Sequence, residues 1–192
     1  MKTADGTSFD SVINQVLSEV EDCVRRISSE SLVQAAALIE QAPRIFVAGV
    51  GRSGLGMKAL GMRLMHLGKT VLAVGETTTT SITAGDLLIL GSGSGKTPTL
   101  LPISGEARHQ GARILLFTAD PLSPLAGLAD HCVVIPAQMF QAAHEEHVVS
   151  VQPLNSLFEQ SLLLLCDSLV LNLMQQMNVD AWQMAERHAN LQ

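Results

Sequence analysis

Positive charge is scarce in this chain: 12 lysines and arginines stand against 18 aspartates and glutamates in 192 residues, a formal net charge of −6. That balance argues against a general nucleic-acid or anionic-membrane surface, so an anionic ligand has to be caught locally by aimed groups. Paired cysteine is also lacking. Cys23, Cys132 and Cys166 show no CxxC or paired spacing and read as ordinary reduced core residues of a cytosolic protein. No cleavable leader is expected, because Met1 to Asp10 is polar. Long hydrophobic runs are missing as well. The longest, Leu162 to Leu173, is interrupted by Asp167 and Asn172 and falls short of the ~20 residues needed to cross a bilayer. No repeat, low-complexity tract or linker divides the chain. A single cytoplasmic domain is expected, large enough to bury about 70% of its unfolded surface without disulfides or metals.

What the chain does have is alternation. Apolar residues at helical spacing from Phe9 to about Ile27 and from Ser31 to Ile39 predict two leading helices, with a boundary at Ser29, Glu30 and Ser31. From Arg44 onward, short β-branched runs at 44–49, 70–74, 86–91, 113–118 and 131–135 predict strands, with helices near 53–67, 98–110 and 154–178. Continuously apolar strands separated by helices imply a parallel sheet covered on both faces. The segment Ala137 to Ser150 is expected to be an exposed excursion.

Two glycine- and hydroxyl-rich turns fall where a buried strand runs into a helix. Gly49-Val50-Gly51-Arg52-Ser53-Gly54 follows the first strand, and Gly91-Ser92-Gly93-Ser94-Gly95-Lys96-Thr97 follows the third. Glycines let the backbone come close to a ligand, while helix-start N–H groups and hydroxyls donate to phosphate oxygens. In such sheets ligands sit beyond the carboxyl ends of the strands, where both turns lie. A phosphorylated small molecule is the ligand this pattern suits.

Other readings compete. The first turn matches GxGxxG, and Glu76 after the next strand stands roughly where a dinucleotide fold places its ribose carboxylate. Arg52 and Ser53, however, are donors suited to a terminal phosphate, and a dinucleotide would leave the second turn idle. Gly95-Lys96-Thr97 imitates a triphosphate loop, but GxxxxGK[ST] needs glycine where Leu90 stands, and Pro98 follows at once. Tight strand-to-helix turns alone could explain one set of glycines. Four hydroxyls, those of Ser53, Ser92, Ser94 and Thr97, are what a monophosphate requires, helped by the backbone N–H groups of Gly93 and Gly95.

Together with Gly75-Glu76-Thr77-Thr78-Thr79, the stretch Pro153-Leu154-Asn155-Ser156-Leu157-Phe158-Glu159-Gln160 and the closing Arg187-His188-Ala189-Asn190-Leu191, these turns resemble the 6-phospho-3-hexuloisomerases of the sugar isomerase, or SIS, fold. The resemblance runs from the first helix to the last residue. Thr80 stands where that family usually has proline, and Lys96 where it usually has glutamate; Lys96 either adds a charge to the phosphate site or points to solvent.

The resemblance implies a three-layer α/β/α domain with a five-stranded parallel sheet over 1–192: N-terminal helices in 1–42, sheet core in 44–135, C-terminal helices and tail in 153–192. It implies conversion of D-arabino-3-hexulose 6-phosphate to fructose 6-phosphate through a cis-enediolate, with no metal or redox cofactor, in the ribulose monophosphate route of formaldehyde fixation. Hexulose-phosphate synthase would be the pathway neighbour. A carboxylate suits the base if burial raises its pKa towards the working pH, and Glu159 is the one the family motif offers. On its own a first-turn glutamate would only complement the helix dipole. His66 and His188 are candidates for the partner acid. His144-Glu145-Glu146-His147 fails HExxH because Val148 follows, and is expected to be a solvated helix or loop. A homotetramer is implied too, with the tail carrying His188 reaching a neighbour's site, and the 47% hydrophobic content and mean hydropathy of +0.29 are compatible with assembly. An isomerase for another phosphosugar and a non-catalytic sugar-phosphate sensor remain as alternatives.

Overall fold

The computed structural model describes residues 8–140 and 146–191. The leader reading at Met1 to Asp10 falls mostly outside them, as do His144 and Glu145. Helices α1 (Phe9–Arg25) and α2 (Ser29–Gln41) come first. Ser8 and Ser28 cap them, each hydroxyl accepting a backbone N–H three residues on, from Ser11 and Ser31. There follow β1 (Arg44–Gly49), α3 (Gly51–His66), β2 (Thr70–Ala73), β3 (Leu87–Gly91), α4 (Leu100–His109), β4 (Arg113–Thr118), β5 (His131–Val134), α5 (Ser156–Gln176) and α6 (Ala181–Glu186).

The sheet is parallel throughout, in the order β2-β1-β3-β4-β5. Its strands read as unbroken apolar runs because helices cover both faces. On one face Ile45, Val47, Leu87, Ile89, Leu115 and Phe117 pack against α1, α2, α3 and α5. On the other, Phe46, Leu88, Leu90, Ile114 and Leu116 meet α4. This is the three-layer α/β/α arrangement expected.

Three details differ from the sequence reading. Helix α5 is shorter at both ends because Leu154 (φ 57) and Asn178 (φ 52) adopt left-handed backbone just outside it. At 21 residues it is long and apolar enough to span a bilayer, although its interruptions argued otherwise; Leu157, Phe158, Leu162, Leu165, Leu169 and Leu173 bury one face of it in the core. The excursion after β5 is not wholly exposed: Ala137, Met139 and Val148 are buried, and Gln138 N–H donates to Val148 O at 3.0 Å, tying its two ends together.

At the amino ends of the strands, buried Asp86 accepts from Arg44 Nε (3.0 Å) and Nη2 (2.6 Å) and from Thr83 N–H (2.7 Å). Burial opposes its ionisation, but these donors outweigh burial and hold its carboxyl below the ordinary range. This pair lies at the end of the sheet away from the glycine turns, and its work is structural.

Candidate active site

β1 and β3 run side by side, with Gly49 opposite Gly91, so the two glycine turns leave the sheet as neighbours. The chain order reverses here, β2 lying on one side of β1 and β3 on the other, which is where open α/β sheets form ligand crevices. In the first turn, a Cβ on Gly54 would lie 2.6 Å from Gly49 O, so α3 starts hard against the strand end. The second turn is laced to the end of β4: Ser92 N–H donates to Phe117 O (3.0 Å) and Ala119 N–H to Gly93 O (2.9 Å). Gly95 has φ +58, and a Cβ there would overlap the Ser123 hydroxyl, so only glycine closes this loop.

Several proposed phosphate donors have other duties. Gly95 N–H, expected to face a phosphate, donates to Ser92 O at 3.1 Å and closes the turn. Ser92 is buried and its Oγ lies 2.8 Å from Thr97 Oγ1, so it orients Thr97 and does not itself face the cleft. Lys96 neither stands alone nor points to open solvent: its Nζ is 3.2 Å from Asp120 Oδ2. Arg52 spends its Nε on Glu159 Oε2 at 2.5 Å, reaching across from the first turn of α3 to the first turn of α5.

Between the second glycine turn and the start of α5 lies a cleft of about 670 Å³. Ser94, Lys96, Thr97, Asp120, Asn155 and Glu159 supply its polar groups, while Pro98, Met139, Phe140 and Leu154 supply apolar wall. Hydroxyls and a lysine at one side and a carboxylate at the other suit a phosphorylated, oxygen-rich molecule. Glu159 is 17% exposed and guanidinium-paired, so its setting is set by Arg52 as much as by burial. Ser53 and Gly93 do not line the cleft; they stand in the adjoining turns behind it.

His66 and His188 are not in this cleft. α3 begins at the glycine turn and runs back along the sheet for 16 residues, about 24 Å at 1.5 Å per residue, so His66 lies at the opposite end. There its ring stacks on His188 with centroids 5.1 Å apart, and Arg187 Nη1 donates to His66 O at 3.0 Å. Burial, then the neighbouring His188 and Arg63, push the His66 imidazole below its ordinary value. Both rings line a separate cleft of about 510 Å³ with Arg63 and Asp167. Within one chain they cannot hand a proton to Glu159.

Asp120 and His147 are site residues that sequence reasoning missed. His147, read as part of a solvated segment, lines the large cleft with its Nε2 3.0 Å from Ala119 O. Asp120 stands two residues beyond the end of β4 at its ligand-facing end, and His147 closes the stretch that fails the zinc pattern; neither signal names a role.

A SIS domain model matches residues 38–165. The chain is 43% identical to a 3-hexulose-6-phosphate isomerase of Mycobacterium gastri, over 97% of this chain and 93% of that protein. It is 37% identical to one of Bacillus subtilis, over 94% and 97%. Among solved structures, a Methanococcus jannaschii protein, for which a molecular function of 3-hexulose-6-phosphate isomerase was inferred, superimposes with a TM-score of 0.82 at 29% identity over 94% of this chain and 99% of that one. With that sheet order, those paired glycine turns and likeness along nearly its whole length, the chain belongs to the SIS domain family.

Proposed function

We propose that this protein is a 3-hexulose-6-phosphate isomerase, converting D-arabino-3-hexulose 6-phosphate to fructose 6-phosphate. The observation that carries the reading is Glu159, a carboxylate facing the same cleft as the hydroxyl loop, in a chain 43% identical to a relative of that name. The carbonyl moves from C3 to C2. Glu159 takes the proton from C2, giving a cis-enediolate, and returns it to C3, while a proton passes between O2 and O3. Arg52 fixes the carboxylate; Ser94 and Thr97 hold the phosphate, with Lys96 offsetting its charge. Atoms and electrons balance without an oxidant, reductant or metal.

We infer further that the chain is a single SIS domain over 1–192 that works in the cytoplasm as a homotetramer, with hexulose-phosphate synthase as its pathway neighbour. The long path from Glu159 to His66 and His188 within one chain favours a site shared between subunits, in which the tail of one copy serves the glutamate of another.

The phosphate loop is tested by Ser94→Ala and Thr97→Ala, the two hydroxyls that line the cleft. Losing a hydrogen bond to a charged phosphate costs roughly 1.5–3 kcal/mol, about ten- to hundredfold in kcat/KM, and the loss should fall on KM more than on kcat. Unchanged steady-state kinetics in both variants would remove these hydroxyls from the site.

A further inference from the structure

Leu154 carries an unfavourable backbone at the edge of the cleft. Its φ of 57 is left-handed, a setting that glycine adopts freely and a bulky residue rarely does. Such outliers persist only where their surroundings hold them. Leu154 is 68% exposed, so burial within its own chain compensates little.

The holding groups flank it on both sides. Glu19, a buried carboxylate on α1, accepts from Ser150 Oγ (2.6 Å), Val151 N–H (3.2 Å) and Gln152 Nε2 (3.1 Å). Gln15 Nε2 donates to it at 2.8 Å. Burial works against ionisation of Glu19, and these donors overcome it, keeping the carboxyl below its ordinary range. Beyond Leu154, Asn155 Oδ1 accepts Phe140 N–H at 3.0 Å, which ties the backbone of Phe140, itself an exposed residue, to the start of α5. Leu154 and Phe140 both line the cleft that holds Glu159.

We propose that Leu154 is a water-excluding, substrate-contacting residue of this site: its left-handed backbone presents the isobutyl group, on the same cleft as Phe140, as an apolar wall that keeps water from the reacting C2–C3 bond of the sugar. Glu19 is the positioning residue that holds the wall in place. This rests on the isomerase reading, because the wall matters most while the abstracted proton sits on the Glu159 carboxyl. Water reaching it there would exchange it before its return to C3.

Substrate carrying deuterium at C2, turned over in ordinary water, reads the wall directly through the deuterium found at C3 of the product. The wild type should retain part of the label. Leu154→Gly should lose nearly all of it and raise KM by about tenfold, the scale of lost apolar contact in a pocket. Its melting temperature should stay equal or rise, since glycine relieves the backbone. Leu154→Met should restore wild-type retention and KM. The proposal is overturned if the wild type retains no label, or if Leu154→Gly keeps both label and KM, whatever its melting temperature. That failure would leave the isomerase reading standing, whereas a fully active Glu159→Gln would remove the base on which both rest.

Discussion

Glu159→Gln should lower kcat by roughly 10²- to 10⁴-fold while substrate still binds, which is the usual worth of a positioned general base. The amide has the size and shape of the carboxylate and sits in the same first turn of α5, so the fold has no reason to change. What it loses is the ability to accept the C2 proton, and the charge that Arg52 meets at 2.5 Å. Arg52 is largely exposed, so its guanidinium stays hydrated and the variant should melt close to the wild type. Binding of a substrate or inorganic phosphate, followed by calorimetry, should change little. A chelator should leave turnover unchanged, because no step calls for a metal. Near-normal turnover by Glu159→Gln would transfer the base role to another group of the same cleft, of which Asp120 and His147 are the candidates.

Removal of the tail from Arg187 onward should abolish activity although the sheet stays folded. The tail contributes nothing to β1 through β5. Its contacts among the described residues include the His188 ring on His66 and the Arg187 bond to His66 O, both at the end of α3 remote from Glu159. If the tail serves a neighbouring subunit, a mixture of the truncated protein with Glu159→Gln protein should regain activity once subunits exchange. Hybrid assemblies would contain sites with an intact glutamate from one chain and an intact tail from the other. A truncated enzyme active alone, or a mixture that stays inactive although mixed oligomers form, places the tail's role within its own chain.

The sheet was legible because its signal is local. Each strand is a short apolar run ending in a glycine, a threonine or a loop residue, and the observed bounds differ from the expected ones by no more than a residue. The end of β2 shows how slight the differences are: Val74 lies outside it, yet Val74 N–H still donates to Val47 O at 3.0 Å. The two glycine turns were legible for the same reason, since a strand, a glycine pattern and a helix start lie within a dozen or so residues of one another.

Polar pairings across the fold left no such trace. Arg52 reads as a phosphate donor until α5 brings Glu159 to it, and nothing near Lys96 in the sequence announces its ion pair with Asp120. Glu19 looks like any glutamate on an amphipathic helix. Its burial follows from the segment around Ser150 folding back over α1, more than a hundred residues later in the chain. Polar neighbours make Ala137, Met139 and Val148 look exposed in the sequence, yet all three are buried, and Met139 approaches the place a side chain on Gly93 would occupy. His66 and His188 each read as a partner acid for Glu159, and no local pattern shows that they stack on one another at the far end of α3 from it.

The isomerase reading is tested most directly by incubating the purified protein with D-arabino-3-hexulose 6-phosphate and following fructose 6-phosphate with a coupled assay. The account predicts steady formation of fructose 6-phosphate that scales with enzyme, needs no added metal or cofactor, and nearly disappears with Glu159→Gln. Absence of fructose 6-phosphate from wild-type protein that is folded and binds the phosphosugar would contradict it.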